Sequence, residues 1–206
     1  MKHIITFFLS LLPLLISAQE PQTIGGYILE GDGSFEELDP AVLNARKTKV
    51  KNLNSRGTRV PGVVISFEPE NLGQELGTIV EVEEPFLVQS ISFTVTKNMM
   101  DGSRAEIRIY RINEASDSLE NIVTMPISQE IPLTSSKKNF SIAPREIILL
   151  EPDTYFVSIC LTEVGNGHVL FPLFLKESYT RKDPAKPMEK WNANIGMTVR
   201  GLIRKE

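Results

Sequence analysis

The chain has 206 residues, 26 Asp or Glu against 22 Lys or Arg, a formal net charge of −4 and 41% hydrophobic residues. That length and apolar fraction suit one domain with a real core plus an arm, and the acidic balance excludes the general affinity for nucleic acid that a basic face provides. A single cysteine excludes an internal disulfide, so packing alone must hold the fold together.

The opening run "MKHIITFFLSLLPLLISAQ" has a short basic start at Lys2, an almost unbroken apolar stretch from Ile4 to Ile16, and small residues Ser17 and Ala18 before polar Gln19. This is the pattern of a secretory signal peptide, expected over residues 1–18. The apolar run is too short for the roughly 20 residues of a spanning helix. The expected location is therefore secreted, in the periplasm or at the cell surface. No later stretch is apolar for long enough to cross a membrane as a helix.

Residues 19–59 read as a polar arm, Gly-rich and sharply segregated in charge. Glu30, Asp32, Glu36, Glu37 and Asp39 come first, and Arg46, Lys47, Lys49, Lys51, Arg56 and Arg59 follow. "FEELDPAVLNARK" suits a short helix, with Asp39 as N-cap and Pro40 at the first helical position. Asp32, Glu36 and Asp39 form the one weak candidate for a metal site, an irregular calcium loop. Counted from Asp32, an EF-hand would need Gly where Glu37 stands and Glu where Leu43 stands, so that pattern fails. A solvated acidic loop is the simpler account, and no metal or cofactor is expected.

From residue 60 to 206 the pattern is a run of short alternating segments. "QSISFTVTK" puts Ile91, Phe93 and Val95 on one face. "RAEIRIYRI" sets Ala105, Ile107 and Ile109 opposite Glu106, Arg108 and Tyr110, and "TYFVSICLT" sets Tyr155, Val157, Ile159 and Leu161 together. Further strands are expected near 62–68, 76–83, 121–127, 138–143, 168–175 and 195–203, with prolines punctuating the connections. This predicts an all-β fold, an antiparallel β-sandwich of jelly-roll type behind a polar N-terminal arm. Between the first and second of these segments a tight Asp101-Gly102 turn would set Val95 against Arg108. A longer loop, or a connection crossing between sheets, avoids that mismatch. Pro172 within "VLFPLFL" marks an edge strand or a bulge.

"TYFVSICLTEVGNGHVLF" carries the only cysteine, Cys160, and His168. Asn166-Gly167 is a hairpin signal, and with that turn Cys160 and His168 lie roughly 16 Å apart along the ladder. A nucleophile and its base need hydrogen-bond reach, so no dyad is expected. Cys160 reads as a core residue and His168 as an exposed turn residue. No G-x-S-x-G elbow supplies a serine for a triad, and one Cys with one His beyond the leader is too few for a zinc site. Two carboxylates suffice for a glycosidase, but no pair of acids stands out in an aromatic-lined segment.

The long polar stretch 176–190 is read as a loop, and loops of that length are often functional. Trp191 and Tyr179 are the candidates for a sugar-stacking platform, with Arg181 and Lys182 for anions. The plainer alternative for Trp191 is a lid packed over one end of the sandwich. Met99 and Met100 share a loop tip, exposed at a partner surface or folded back.

The run from "ELGTIVEVEEPFLVQSISFTVTKN" through "RAEIRIYRI" to "DTYFVSICLTEV" resembles the β-sandwich region of secreted Bacteroidetes proteins of the carboxypeptidase-like regulatory-domain type. The resemblance spans roughly residues 60–204 and rests on spacing and residue type. It implies a sandwich without peptidase activity and carries over no catalytic residue. The expected function is a non-catalytic binding or accessory module at the envelope, with a glycan or an envelope protein as ligand. The alternatives are a structural or adhesion subunit adding a strand through 168–175 or the arm, and a carboxylate-based hydrolase.

Overall fold

A computed structural model describes residues 23–24, 27–28, 48–54, 56–113, 118–163, 165–183 and 185–204. The chain divides into two units, Met1–Glu37 and Leu38–Glu206. In the first, β1 (Thr23–Ile24) and β2 (Tyr27–Ile28) form an antiparallel pair. The expected signal peptide, the expected helix after Asp39, and Asp32, Glu36 and Asp39 themselves lie outside the described residues.

The second unit is strand after strand. It begins with β3 (Thr48–Asn54), β4 (Thr58–Phe67), β5 (Glu75–Val82), β6 (Phe86–Val95), β7 (Lys97–Asn98) and β8 (Arg104–Asn113). It continues through β9 (Ser118–Asn121), β10 (Ile127–Glu130), β11 (Lys138–Ile142), β12 (Leu149–Leu150) and β13 (Asp153–Glu163). It ends with β14 (Val169–Leu175), β15 (Ser178–Arg181), β16 (Glu189–Trp191) and β17 (Thr198–Arg204).

One seven-stranded sheet runs β10-β8-β13-β5-β15-β16 with β9 beside β8, and a five-stranded sheet runs β11-β6-β17-β3 with β12 beside β6. A three-stranded sheet, β4-β14-β7, completes the set. The pairings are antiparallel throughout the described residues. The fold is an antiparallel β-sandwich of jelly-roll type.

Alternation decides what fills the core. Ile91, Phe93 and Val95 of β6 meet Ala105, Ile107 and Ile109 of β8 and Tyr155, Val157, Ile159 and Leu161 of β13 in one cluster, as the period-two pattern predicts. Phe93 stacks on Phe140 with ring centroids 5.5 Å apart and leans on Phe171 at 6.3 Å. Met100 is fully buried in the same cluster while Met99 is 46% exposed, so the paired methionines divide between core and solvent.

One of two open alternatives is decided, and three expectations need correction. First, β6 and β8 belong to different sheets, so neither local register forms between them; Phe93 faces Phe140 instead. The crossing connection had been one of the expected solutions. Second, β13 and β14 also part into different sheets, and the Asn166-Gly167 hairpin does not exist. Gly167, at φ 117°, is there because a Cβ would lie 2.4 Å from the Met99 carbonyl oxygen. The glycine answers to a crossing chain rather than to a hairpin turn.

Third, no strand covers 121–127: β9 stops at Asn121 and β10 starts at Ile127. Pro126 offers no N–H for a ladder, and Glu146 takes up the backbone N–H groups of Thr124 (3.0 Å) and Met125 (2.9 Å). Fourth, Thr48–Asn54 is not part of a free arm. It pairs along its whole length with β17, from Thr48 opposite Arg204 to Asn54 opposite Thr198.

Pro172 obeys both readings made of it. Beside it β14 has β4 on one side only, because β7 covers just Val169 and Leu170. Immediately afterwards the register with β4 shifts between Pro172 and Phe174.

Phe93→Ala is expected to cost about 3–5 kcal/mol, the usual result of emptying a buried ring site. Urea denaturation measures it, and a loss under 1 kcal/mol would mean that the Phe93–Phe140–Phe171 contact is not central to the core.

Candidate functional site

The seven-stranded sheet carries chemistry on its outer face. With the apolar residues of β5, β8 and β13 turned to the core, the alternate positions face outward. Glu106 stands opposite Cys160, Cys160 opposite Glu75, and Glu75 opposite Arg181, one row across four strands. The next rows hold Arg108 and Ser158, then Tyr110, Phe156 and Ile79.

Glu75 is the centre of this arrangement and has no exposed surface. Its Oε2 accepts hydrogen bonds from the Tyr110 hydroxyl and the Ser158 hydroxyl, each at 2.9 Å. Its Oε1 accepts from Arg108 Nη1 at 2.6 Å and from Arg181 Nη2. Arg108 also donates from Nε to Glu106 at 2.6 Å. The close approach is built into the backbone: opposite Ser158 stands Gly77, where a Cβ would lie 2.0 Å from the Val157 carbonyl oxygen.

These contacts set the protonation states. Burial works against the charge of Arg108, but its bond to Glu106 and the charge of Glu75 outweigh it and raise its pKa. Burial, then the Glu75 charge, pushes Tyr110 up to about 12. Burial likewise pushes the Cys160 thiol up to about 11, despite the opposing charge of Arg108. A thiol so raised is a poor nucleophile at neutral pH.

Two glutamates and two arginines cancel, and the Glu75 carboxylate is saturated by four donors. A general base needs a free lone pair within reach of substrate. Glu75 has neither the lone pair nor the access.

Beside the polar rows sits a second, smaller apolar cluster of Tyr110, Ile112, Phe156 and Tyr179, flanked by Ile79, Leu119 and Met188. Tyr110 stacks on Phe156 at 6.0 Å, and Tyr179 meets Phe156 edge-on at 5.7 Å.

The expected loop 176–190 therefore contains a paired hairpin, β15 with β16. Trp191 faces Ser178 while Tyr179 faces Lys190, so the two rings point to opposite sides of the sheet. Trp191 packs, half-buried, against the main core, in keeping with the plainer reading, and Tyr179 belongs to the outer cluster. They form no stacking platform. Arg181 is engaged by Glu75, and of the four candidates Lys182 alone is exposed.

Cys160 is buried, as expected. His168 is half-buried rather than exposed, and its carbonyl accepts the Met99 N–H at 2.9 Å. It precedes β14 in the three-stranded sheet, whereas Cys160 lies in the seven-stranded one. Among the described residues no group of three His, Cys, Asp or Glu side chains is placed to hold a metal ion.

No family model matches the sequence, and no curated protein matches it. Among solved structures, the chain is similar to the Eiger TNF from S. frugiperda, with a TM-score of 0.33 and 10% identity over 78% of this chain and 96% of that one. It is also similar to the infectious bursal disease virus VP2 subviral particle, with a TM-score of 0.32 and 12% identity over 77% of this chain and 38% of that one. Likenesses this distant carry no functional argument.

Glu75→Ala leaves Arg181 without its counter-ion and Arg108 with Glu106 alone, an expected loss of about 3–5 kcal/mol. A urea midpoint equal to that of the parent would refute the buried pairing.

Alkaline pH provides a second check. Tyr110 and Cys160 titrate higher in the folded chain than their ordinary values of 10.0 and 9.0. Their contribution is complete below pH 9 and is lost as pH rises toward 12, because the unfolded chain gives up these protons first. Thermal melts from pH 8 to 11 should show a falling midpoint, and substituting both Tyr110→Phe and Cys160→Ala should flatten the slope.

Proposed function

We propose that this chain is a non-catalytic, secreted, envelope-associated binding or accessory module whose ligand is a glycan or an envelope protein. The observation that carries the reading is the state of Glu75: the fully buried acid is saturated by Arg108, Arg181, Tyr110 and Ser158. A carboxylate-based hydrolase wants a pair of acids converging on an open cleft. Here Glu75 and Glu106, the acids of the central rows, are tied to arginines instead. The apparent export signal and the resemblance to secreted Bacteroidetes sandwich proteins point in the same direction, toward the periplasm or cell surface.

The structural-subunit alternative finds less support. The strand proposed for it, β14, is flanked by β4 and β7. The outer strand β4 carries a Pro61-Gly62 bulge at the same register shift, with Gly62 at φ 75°. Proline and bulges on an edge are ways of blocking sheet addition. Assembly through residues 19–47 stays open to experiment, since the structure describes only four of those residues.

Glycan arrays and envelope pull-downs with the full chain, run beside a hydrolysis panel on each retained glycan, test the proposal. The expected result is retention without turnover, with a monomer by light scattering. Turnover abolished by one acid-to-amide substitution would overturn it.

A further inference from the structure

The five-stranded sheet differs in charge from the seven-stranded one. Not one residue of β3, β6, β11, β12 or β17 is Asp or Glu, while Lys49, Lys51, Lys138, Arg200 and Arg204 are all basic, Lys51 being paired with Glu83 and Glu84 ahead of β6. The strands of the seven-stranded sheet hold eight acidic residues against five basic ones. A chain of net charge −4 thus turns an acid-free sheet to one side.

Register defines what the outer face of that sheet presents. With Ile91, Phe93, Phe140 and Val199 in the core, the opposite side carries rows perpendicular to the strands. Asn139 stands beside Thr94. Ser141, Ser92, Thr198 and Asn54 form the next row, and Ser90, Arg200 and Asn52 the one after it. Leu149, Leu87, Leu202 and Val50 close the face at one end.

Three guanidinium groups follow the line of β17. Arg200 and Arg204 are exposed, roughly 13 Å apart at strand rise, and neither has an ion-pair partner among the described residues. Arg56 joins them by donating from Nη2 to the Thr198 hydroxyl at 2.8 Å.

We infer that this face binds an anionic polysaccharide, its carboxylate or other acidic groups meeting Arg56, Arg200 and Arg204 and its hydroxyls meeting the Ser, Thr and Asn rows. The inference rests on the binding-module reading and adds a ligand class and a face. An extended polyanion matches the line of arginines, and the absence of any Asp or Glu on these strands removes the repulsion that would otherwise reject it. Short hydroxyl and amide side chains suit a hydroxyl-rich ligand. No aromatic side chain points outward from these strands, so the face lacks both the stacking platform of a single-strand nucleic-acid site and the aromatic anchors typical of protein interfaces. In the aliphatic row Leu87 is only 4% exposed while Val50 and Leu149 are 51% and 41% exposed, two separated side chains at one end of the face, and the vesicle arm of the test below measures what they contribute.

The test is affinity electrophoresis of the full chain in gels containing polygalacturonate, with dextran as the neutral polymer. Parallel sedimentation uses phosphatidylglycerol vesicles, and gel shift uses duplex DNA. The expected result is retardation by polygalacturonate that weakens with salt and falls at least tenfold in the double variant Arg200→Ser/Arg204→Ser. Lys176→Ser, which removes one charge elsewhere on the surface, should stay within twofold, and matching thermal melts exclude misfolding.

Equal retardation by dextran, insensitivity to the double substitution, or tighter binding to vesicles or DNA would each overturn the inference. If arrays find a neutral glycan or a protein ligand unaffected by the double variant, the face is wrong and the binding-module reading survives. If neither glycans nor envelope proteins are retained, both fail.

Discussion

A buried negative charge has to be answered by the chain around it, and in this sandwich the answer organises the larger sheet. Glu75 opens β5, where it pairs with β13 on one side and β15 on the other. Its partners come from β8, β13 and β15, so one carboxylate ties four adjacent strands through side chains as well as through the ladder. Hydrogen-bonded ions in a poorly solvated site add little net stability over an apolar replacement, but they are costly to break singly. Such a network therefore fixes register: slipping β15 by one residue would turn Arg181 to the core and leave Glu75 short of a donor.

That constraint also explains why β13 is buried on both faces. Tyr155, Val157, Ile159 and Leu161 point into the sandwich, while Phe156, Ser158 and Cys160 are covered from outside. Aromatic contacts of Tyr110 and Tyr179 on Phe156 shield the polar rows from water, and shielding in turn strengthens the ionic bonds. The outer cluster and the Glu75 network depend on one another.

Most of the fold was legible because period-two alternation is a local property. It placed the β6, β8 and β13 faces correctly, down to Glu106, Arg108 and Tyr110 on the outer side of β8. What failed was any inference from turn chemistry to partner choice. Asn166-Gly167 is a good local hairpin signal, yet its connection crosses between sheets, as does that at Asp101-Gly102, where register had already argued against a tight turn. Topology of this kind is decided by which faces must be buried together, and a turn motif carries no information about that. The charged centre was missed for a related reason. An acid at the first residue of a strand looks like a solvated one, and only the pairing of β5 with β13 and β15 brings the two arginines to it. Tyr179 and Arg181 were singled out as ligand contacts, whereas the structure gives them to the outer cluster and to Glu75 through a short hairpin hidden in a polar stretch.

Charge offers the sharper case of an average concealing a pattern. The acidic balance of the whole chain excludes a general attraction to polyanions, and the seven-stranded sheet is indeed acidic. Yet β3, whose lysines looked like part of a solvated arm, is the edge of a sheet whose strands carry no carboxylate. Over a Debye length of about 8 Å at physiological salt, a ligand on that face senses mainly Arg56, Arg200 and Arg204 and little of the acids on the opposite sheet, which stacked sheets hold roughly 10 Å further away. Segregating charge by sheet lets an acidic chain keep one locally cationic face. Net charge then governs how the molecule behaves in bulk, while the sheet decides what it touches.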